Sequence, residues 1–255
     1  ELKVQEVLTG APLVMFVQSW AGDMAPHEAE VEGSLSEYTA EFEPKLDQLE
    51  AIGRAAAEKV LEMWDEMEFP DDPEFRFINE QVPVSYDLLG YTEEIFPYEF
   101  GGAFCGGVAD FCPEDEKEPN MDFCFGIPEE FSLKQLRLAA VQLGSLVIVT
   151  LPGEPVTTLG EYLVDKIQAV EPDISPVLFG YAQDYSGYLL LPDDWYGGGY
   201  EAASNFWGPY QGQYVADSAA SVALKMLDPD HELGFEALPP LSFVSGEGQE
   251  YEPAA

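Results

Sequence analysis

Two neighbouring segments decide the fold of this chain: LPGEPVTTLGEYLVDKIQ, residues 151–168, and PVLFGYAQDYSGYLLLPDDWYGGGYEAASNFWGP, residues 176–209. In the first segment, Glu154 follows a Pro-Gly turn that comes directly after an apolar run. In the second, another apolar run leads into a loop with three tyrosines: Tyr181, Tyr185 and Tyr188. Open α/β sheets build their sites where strand ends deliver polar side chains to neighbouring loops. The two segments therefore predict such a site.

Hydrophobic patterns predict the strands and helices around these segments. Apolar side chains at steps of three and four predict helices at residues 44–67, 155–168 and 211–226. Apolar runs or alternation predict strands at residues 11–18, 75–89, 136–141, 146–151 and 177–179. Gly-rich, aromatic composition predicts loops at residues 90–130 and 189–199. Together they predict an α/β fold of mixed β-sheets flanked by helices.

The composition excludes one class of function. The chain has 255 residues, of which 46% are apolar, enough for one large domain or two small ones. It carries 49 acidic and 10 basic residues, a formal net charge of -39. Such a field repels phosphate, which excludes nucleic-acid binding and disfavours an anionic membrane surface. The acidic residues are spread along the chain and predict a solvated surface; saline adaptation or divalent cation binding would also fit.

The three cysteines, Cys105, Cys112 and Cys124, lie close together in the sequence. An odd number leaves at least one unpaired, and we expect one disulfide in an exported protein. No C-x-x-C pair is present, which argues against a structural zinc site. No apolar run reaches the length of about 18 residues that a transmembrane helix needs. Since the chain begins at Glu1, we expect that an upstream segment was removed or forms a separate chain.

Several motifs resemble the second half of the catalytic domain of the neutral (non-lysosomal) ceramidase family. The family has PGE-x-TT-x-x-G, a loop of the N-x-Y-x-x-Y type, YE-x-AS and GP, in that order. The corresponding segments here are PGEPVTTLG at 152–160, QDYSGY at 183–188, YEAAS at 200–204 and GP at 208–209. The threonine pair sits one place later than in the family, and Gln183 replaces the asparagine. The resemblance extends from about Phe16 to about Leu227.

The resemblance implies a zinc-dependent amide hydrolase that acts on an N-acyl, ceramide-like lipid. It implies that Glu154 and Tyr188 bind the zinc, that Tyr200 lies near the metal and stabilises an oxyanion, and that Asp23 and Tyr185 support the site. In the family, two histidines from the first half of the domain complete the ligand set. Residues 1–255 would then form one portion of a ceramidase-like domain, completed by an upstream chain of the same processed precursor. The implied location is extracellular, periplasmic or at the cell surface.

One departure from the family affects the chemistry. The family's G-D-V-S-P-N segment carries its proposed catalytic serine, whereas the segment here is GDMAPH, with Ala25 at the serine position. An alanine side chain can neither attack a carbonyl nor donate a hydrogen bond. Ser19 taking the role, a zinc-bound water as nucleophile, or an alanine introduced to trap an inactive form would each reconcile this with hydrolysis. The second hypothesis is a catalytically impaired protein with a lipid-binding, structural or assembly role.

Each candidate residue also has a purely structural interpretation. Glu154 could be a helix-start carboxylate, and Asp23 an Asx-turn residue or a helix cap. Tyr188 and Tyr200 could be packed aromatics with a hydrogen-bonded hydroxyl. The resemblance assigns Gly22 and Phe104 to substrate binding, and the loop phenylalanines to an acyl-chain pocket, but these rings could equally pack under the loop. The phenylalanines are Phe100, Phe104, Phe111, Phe123 and Phe125. His27 and His231 are interpreted as residues without a metal role.

Overall fold

The computed structural model describes residues 2–8, 13–24, 43–64, 66–67, 71–105, 124–236, 243–244 and 250–251. The chain divides into two compact units, Glu1–Val17 with Met24–Asp72, and Gln18–Asp23 with Pro73–Ala255. The described helices are α1 (Leu2–Val7), α2 (Glu43–Trp64), α3 (Thr157–Gln168), α4 (Pro192–Gly197), α5 (Tyr200–Ala203) and α6 (Gln211–Leu227). The described strands are β1 (Phe75–Pro83), β2 (Gly102–Ala103), β3 (Phe125–Gly126), β4 (Gln135–Leu143), β5 (Leu146–Thr150), β6 (Glu154–Pro155), β7 (Ser175–Phe179), β8 (Tyr188–Leu189), β9 (Phe243–Val244) and β10 (Glu250–Tyr251).

The first unit contains α1 and α2, which pack together with Val4 and Ala57 buried. Helix α2 confirms the helix predicted at 44–67, although most of its predicted apolar stripe is exposed. The buried strand predicted at 11–18 is wrong. Over its described part the backbone is irregular, and Leu13, Met15 and Phe16 are between 70% and 81% exposed. An apolar run becomes a buried strand only beside a partner strand, and none lies among the described residues of this unit.

The second unit is built on a four-stranded mixed sheet with the order β1-β4-β5-β7. The first two neighbouring pairs are antiparallel, and β5 and β7 are parallel, with α3 in the connection between them. The predicted hairpin between β4 and β5 is confirmed, and Gly144 takes the positive φ of 61° that its turn requires. Strand β1 stops earlier than predicted because the chain turns at residues 86–90.

Helices α3 and α6 contact each other and pack on the sheet, which confirms the predicted mixed sheet with flanking helices. The stripe predicted for α3 is buried in the core: Val156, Leu159, Leu163 and Ile167. On the facing strands burial largely alternates along β5, where Val147 and Val149 are buried, and Leu136, Leu138 and Ala140 of β4 lie in the same core. This alternation is the mark of a sheet with one face in the core.

The loop predicted at 189–199 is wrong in part, because residues Pro192–Gly197 form α4. Pro192 stands at its start and Asp193 and Asp194 lie in its first turn, all of which favour a helix N-terminus. The irregular segment predicted at 90–130 holds only short elements where it is described: β2 paired with β3, and a 3₁₀ turn at Glu129–Phe131. None of the described helices is long and apolar enough to cross a membrane.

We predict that Gly212→Ala in α6 destabilises the protein, because a Cβ there would lie 2.0 Å from the carbonyl oxygen of Leu190. Such overpacking costs about 1–3 kcal/mol of unfolding free energy. The control is Gly53→Ala in α2, where a Cβ meets nothing within 4 Å. Since alanine favours a helix over glycine, this change should stabilise by up to about 1 kcal/mol. Urea unfolding followed by circular dichroism measures both, and equal effects would contradict the close α6 contact.

Candidate functional site

A short parallel strand pair brings the two predicted metal ligands together. Strand β6 pairs with β8 so that Glu154 stands directly opposite Tyr188. The Glu154 N–H donates to the Gly187 carbonyl at 2.9 Å, and the Val156 N–H donates to that of Leu189 at 3.1 Å. A Cβ on Gly153 would lie 2.4 Å from the Gly187 oxygen, so the chains approach at a distance that only glycine permits.

The Glu154 carboxylate accepts hydrogen bonds from the tyrosines of the following loop. The Tyr181 hydroxyl donates to Oε2 at 2.6 Å, and the Tyr185 hydroxyl donates to Oε1 at 2.5 Å. The two rings stack with centroids 6.3 Å apart. Tyr188 lies beside the carboxylate, because it stands opposite Glu154 in the strand pair. Two phenols therefore donate to one carboxylate and a third lies next to it, an arrangement we call the Glu154–tyrosine cluster.

The carboxylate keeps these phenols protonated. Burial, the hydrogen bond to Glu154 and the charge of that carboxylate together raise the pKa of Tyr181 to about 12. The same causes, in the same order, raise the pKa of Tyr185 and of Tyr188. The rings of Tyr181 and Tyr185 are half-exposed, but their hydroxyl ends point to Glu154. Neutral phenols donate hydrogen bonds, so Tyr181 and Tyr185 fix the orientation of the Glu154 carboxylate.

The backbone of the tyrosine loop is held in a specific bend. Tyr181 and Gln183 have positive φ values of 55° and 70°, which non-glycine residues seldom adopt. The Ser186 N–H and hydroxyl both donate to the Pro152 carbonyl, at 2.8 and 2.6 Å. The Arg137 N–H donates to Asp184 Oδ2 at 2.7 Å. These bonds tie the loop to the end of β4 and to the turn before Glu154.

Tyr200 is brought to the same cluster. Its ring packs edge-on against that of Tyr188, with centroids 5.5 Å apart, and about half of it is exposed. The Tyr188 N–H donates to the Ser204 carbonyl at 3.2 Å, which joins β8 to the residue after α5. Sequence reasoning did not select Tyr181 as a site residue. The signal for it was the spacing of three tyrosines in one loop directly after a strand.

Gly22 and Asp23 lie against the start of α3. The Gly22 N–H donates to the Pro155 carbonyl at 2.9 Å, and a Cβ on Gly22 would lie 2.7 Å from the Glu154 carbonyl oxygen. Asp23 Oδ1 accepts from both the N–H and the hydroxyl of Thr157 at 2.9 Å. Asp23 therefore caps the first turn of α3, as the structural interpretation of this residue predicted. Ala25 and His27 lie outside the described residues.

Phe104 connects the aromatic loop to the helix that carries Tyr200. Its N–H donates to the Ala203 carbonyl at 2.9 Å, and its ring lies 5.8 Å from that of Phe125. A disulfide between Cys105 and Cys124 closes the loop, which fulfils the expectation of one disulfide. Phe100 instead lines a separate cavity of about 660 Å³ together with Trp207 and Lys134. Cys112, Phe111 and Phe123 lie outside the described residues.

The donor set fits part of a zinc site. Hydrolytic zinc takes about three protein ligands and keeps one position open. Glu154 and Tyr188 present a carboxylate and a phenol side by side. Carboxylate oxygens are common zinc ligands, whereas a tyrosine oxygen is an uncommon one. Within the described ranges, no group of three or more His, Cys, Asp or Glu side chains lies close enough to hold a metal ion. Among the described residues, Glu154 and Tyr188 are thus two adjacent donors, fewer than the three that a hydrolytic zinc takes.

We predict that the clustered tyrosines ionise at a higher pH than exposed ones. The pKa of Tyr181 is about 12 in the folded protein and about 10 for an ordinary tyrosine. The stability that the protonated Tyr181 contributes beside Glu154 is therefore complete below about pH 10. It is lost as the pH rises through 12. Absorbance titration at 295 nm in chelator should give a late phase that Glu154→Gln moves to lower pH. The exposed control, Glu161→Gln on α3, should leave the curve unchanged; an unchanged curve in Glu154→Gln would contradict the cluster.

We also predict that Asp23→Ala lowers the unfolding free energy by about 1 kcal/mol, because α3 loses its cap. Asp23→Asn keeps an acceptor oxygen for Thr157 and should retain most of that stability. Urea unfolding of the two variants separates the hydrogen bond from the charge. If Asp23→Ala were as stable as the wild type, the capping contact would have no energetic role.

Comparison with known proteins places the fold. No family model matches the sequence, and a search of curated proteins finds no match. The crystal structure of neutral ceramidase from Pseudomonas aeruginosa matches with a TM-score of 0.58 and 18% identity, over 91% of this chain and 40% of that chain. A ceramidase complexed with C2 matches with a TM-score of 0.52 and 17% identity, over 81% of this chain and 38% of that chain. The chain therefore has a ceramidase-like α/β fold, and it spans about 40% of the length of the solved proteins.

Proposed function

We propose that this chain is part of a zinc-dependent amide hydrolase that acts on an N-acyl, ceramide-like lipid. The observation that carries the proposal is the parallel pairing of Glu154 with Tyr188, which places the two residues opposite each other. A carboxylate and a phenol side by side at a strand end are two donors for one cation. The ceramidase-like fold supports the assignment of the substrate class.

Zinc at this site would polarise the amide carbonyl and lower the pKa of a bound water. Glu154 and Tyr188 would hold it, and Tyr188 would give up its proton, since metal ligands bind in their deprotonated form. Tyr181 and Tyr185 would then orient the Glu154 carboxylate by donating to its two oxygens.

Tyr200 is suited to the charge that develops on the substrate oxygen. Its exposed ring packs on Tyr188, so its hydroxyl can donate a hydrogen bond to the oxyanion without leaving the cluster. Hydrolysis breaks the C–N bond, and the oxygen of water joins the acyl carbon while a proton passes to the amine. Asp23 would act as a positioning residue, because it fixes the start of α3 directly after Glu154.

The proposed site needs a partner. Two donors leave a hydrolytic zinc short of ligands, and among the described residues no group of three His, Cys, Asp or Glu side chains could hold the ion. We propose that a second polypeptide, the upstream chain of the same processed precursor, supplies two histidines. The Cys105–Cys124 disulfide supports an oxidising compartment, that is, an extracellular, periplasmic or cell-surface location.

The lipid part of the substrate would meet apolar residues beside the cluster. Phe104 and Phe125 form a ring pair in the loop next to α5, and Phe125 is partly exposed. Gly22 lies against the backbone of Glu154, where a Cβ would meet the Glu154 carbonyl oxygen. These positions beside the cluster support a role of Phe104 and Gly22 in substrate binding.

A catalytically impaired protein is the second candidate, and the sequence at Ala25 favours it. A methyl side chain at the family's serine position offers no nucleophile and no hydrogen-bond donor. Such a protein would keep the fold and bind lipid, or serve in assembly, without hydrolysing the amide. Zinc-bound water as the nucleophile would remove the need for a serine.

We predict that Glu154→Gln and Tyr188→Phe, each made in the purified assembly, weaken zinc binding by more than about 100-fold. The reason is that loss of a residue that only orients a ligand already costs about 10–100-fold. Tyr181→Phe should weaken zinc binding by about 10–100-fold, because Tyr181 only orients Glu154. Zinc is measured by elemental analysis and chelator competition, and hydrolysis by mass spectrometry of the amine released from an N-acyl lipid. Glu161→Gln and Tyr196→Phe, both at exposed positions, are the matched controls.

Each outcome selects one hypothesis. Zinc bound through Glu154 and Tyr188 with amide hydrolysis supports the hydrolase. Zinc bound in the same way without hydrolysis supports the impaired protein. An assembly that holds no zinc, or that holds it equally well in both variants, contradicts the zinc amidase chemistry.

A further inference from the structure

The two faces of the four-stranded sheet differ in what covers them. One face lies under α3 and α6, with Leu138, Val149 and Leu178 fully buried. Side chains alternate between faces along a strand, so the residues in between point away from these helices. The register aligns four of them across the sheet: Phe77 beside Val141, Val141 beside Ile148, and Ile148 beside Val177. We call this side of the sheet the open face.

The open face is apolar and exposed in its two rows nearest Phe75, whereas the row of Gln81 and Arg137 at its other end is polar. Phe77 and Val177 at the ends of the aligned row are 60% and 37% exposed, and Val141 and Ile148 between them are half-buried. In the next row, Phe75 lies beside Leu143, with exposures of 67% and 40%. Apolar side chains in register across four strands form a flat contiguous patch, which is the kind of surface that proteins place in an interface.

The distribution of charge supports an interface on this face. The chain has 49 acidic residues among 255, yet the four strands, all of which the structure describes, contain a single one, Glu80. Glu80 alternates with Phe77 and Asn79 and so points to the helix side, where burial raises its pKa and Lys225 of α6 lowers it by a smaller amount. The open face therefore carries no carboxylate. A solvated surface of this protein would be expected to carry several.

The open face reaches the tyrosine loop. Thr150 lies on this face at the end of β5, and its hydroxyl accepts from Gln183 Nε2 at 3.4 Å. On the neighbouring strand, the Arg137 N–H donates to Asp184 at 2.7 Å. The loop that carries Tyr181 and Tyr185 is thus anchored at the end of the open face. A polypeptide layer on that face would end beside the Glu154–tyrosine cluster.

We propose that the open face is the docking surface of the partner polypeptide, which covers the row from Phe77 to Val177 with an apolar layer of its own. The identity of the occupant rests on the proposed function, whereas the surface rests on the sheet alone. A second copy of this chain fits less well, because each copy has a charge of -39 and the two would repel each other. An anionic lipid surface is opposed by the same charge. The solved neutral ceramidase, of which this chain covers 40%, contains ample further polypeptide for such a layer.

Photo-crosslinking in the intact assembly tests the surface directly. Benzoylphenylalanine is placed at position 77 in one variant and at 177 in a second, and the assembly is irradiated. We expect both to crosslink to one polypeptide that is present in equal amount to this chain, identified by peptide sequencing. Val170, which is 57% exposed just after α3 on the helix side, is the control position and should give no crosslink to it. Crosslinks between copies of this chain, or none at 77 and 177, would overturn the proposal.

A charge substitution gives an independent measurement. Phe77→Asp should reduce the affinity of the isolated chain for its purified partner by at least about 100-fold, because it buries an unpaired carboxylate. The melting temperature of the isolated chain should hardly change, since Phe77 is already 60% exposed there. Val170→Asp should change neither the affinity for the partner nor the melting temperature. Equal affinities of the Phe77→Asp and Val170→Asp variants would contradict docking on this face. Crosslinking at 77 and 177 in an assembly without zinc would leave the docking surface standing and overturn the proposed chemistry alone.

Discussion

The parallel contact between Glu154–Pro155 and Tyr188–Leu189 is the constraint on which the site depends. It joins the turn after β5 to the end of the tyrosine loop, two segments that are far apart in sequence. Close backbone approach makes it possible, since a side chain at Gly153 or at Gly187 would collide with a carbonyl oxygen. With this contact formed, Glu154 lies opposite Tyr188. The tyrosine loop that leads into β8 then places Tyr181 and Tyr185 on the Glu154 carboxylate.

In this strongly acidic chain, the Glu154 carboxylate accepts hydrogen bonds from neutral phenols. Tyr181 and Tyr185 occupy both oxygens of Glu154, and the raised pKa values of the phenols follow from its charge and from burial. A cation at this place would reverse the balance, because it would favour the ionised form of a phenol that Glu154 now keeps neutral. The same contacts that stabilise the cluster as a hydrogen-bonded group would thus change if the proposed cation were bound.

Sequence patterns predicted the elements that local periodicity encodes. The β4–β5 hairpin, α3 with its buried stripe, and α6 are all found where they were expected. The failures have a common cause, because most described side chains of the run at 11–18 and of the α2 stripe are apolar but exposed. A pattern states that side chains favour burial and cannot state what buries them. The predicted roles of Glu154 and Tyr188 were drawn from motifs, and their contact depends on a pairing that no local pattern specifies.

The hydrogen bonds of Asp23 to Thr157 decide between two interpretations of the start of α3, in which either Glu154 or Asp23 caps the helix. A carboxylate directly before a helix would ordinarily satisfy the helix N-terminus, and this was the alternative for Glu154. Asp23 takes that role instead, by accepting from the N–H and hydroxyl of Thr157. Glu154 is thereby left to the tyrosines, with its neighbour Pro155 fixed by Gly22. The open sheet face and the proposed donors Glu154 and Tyr188 then meet at the tyrosine loop, and the proposed partner polypeptide, lying along that face, would reach both.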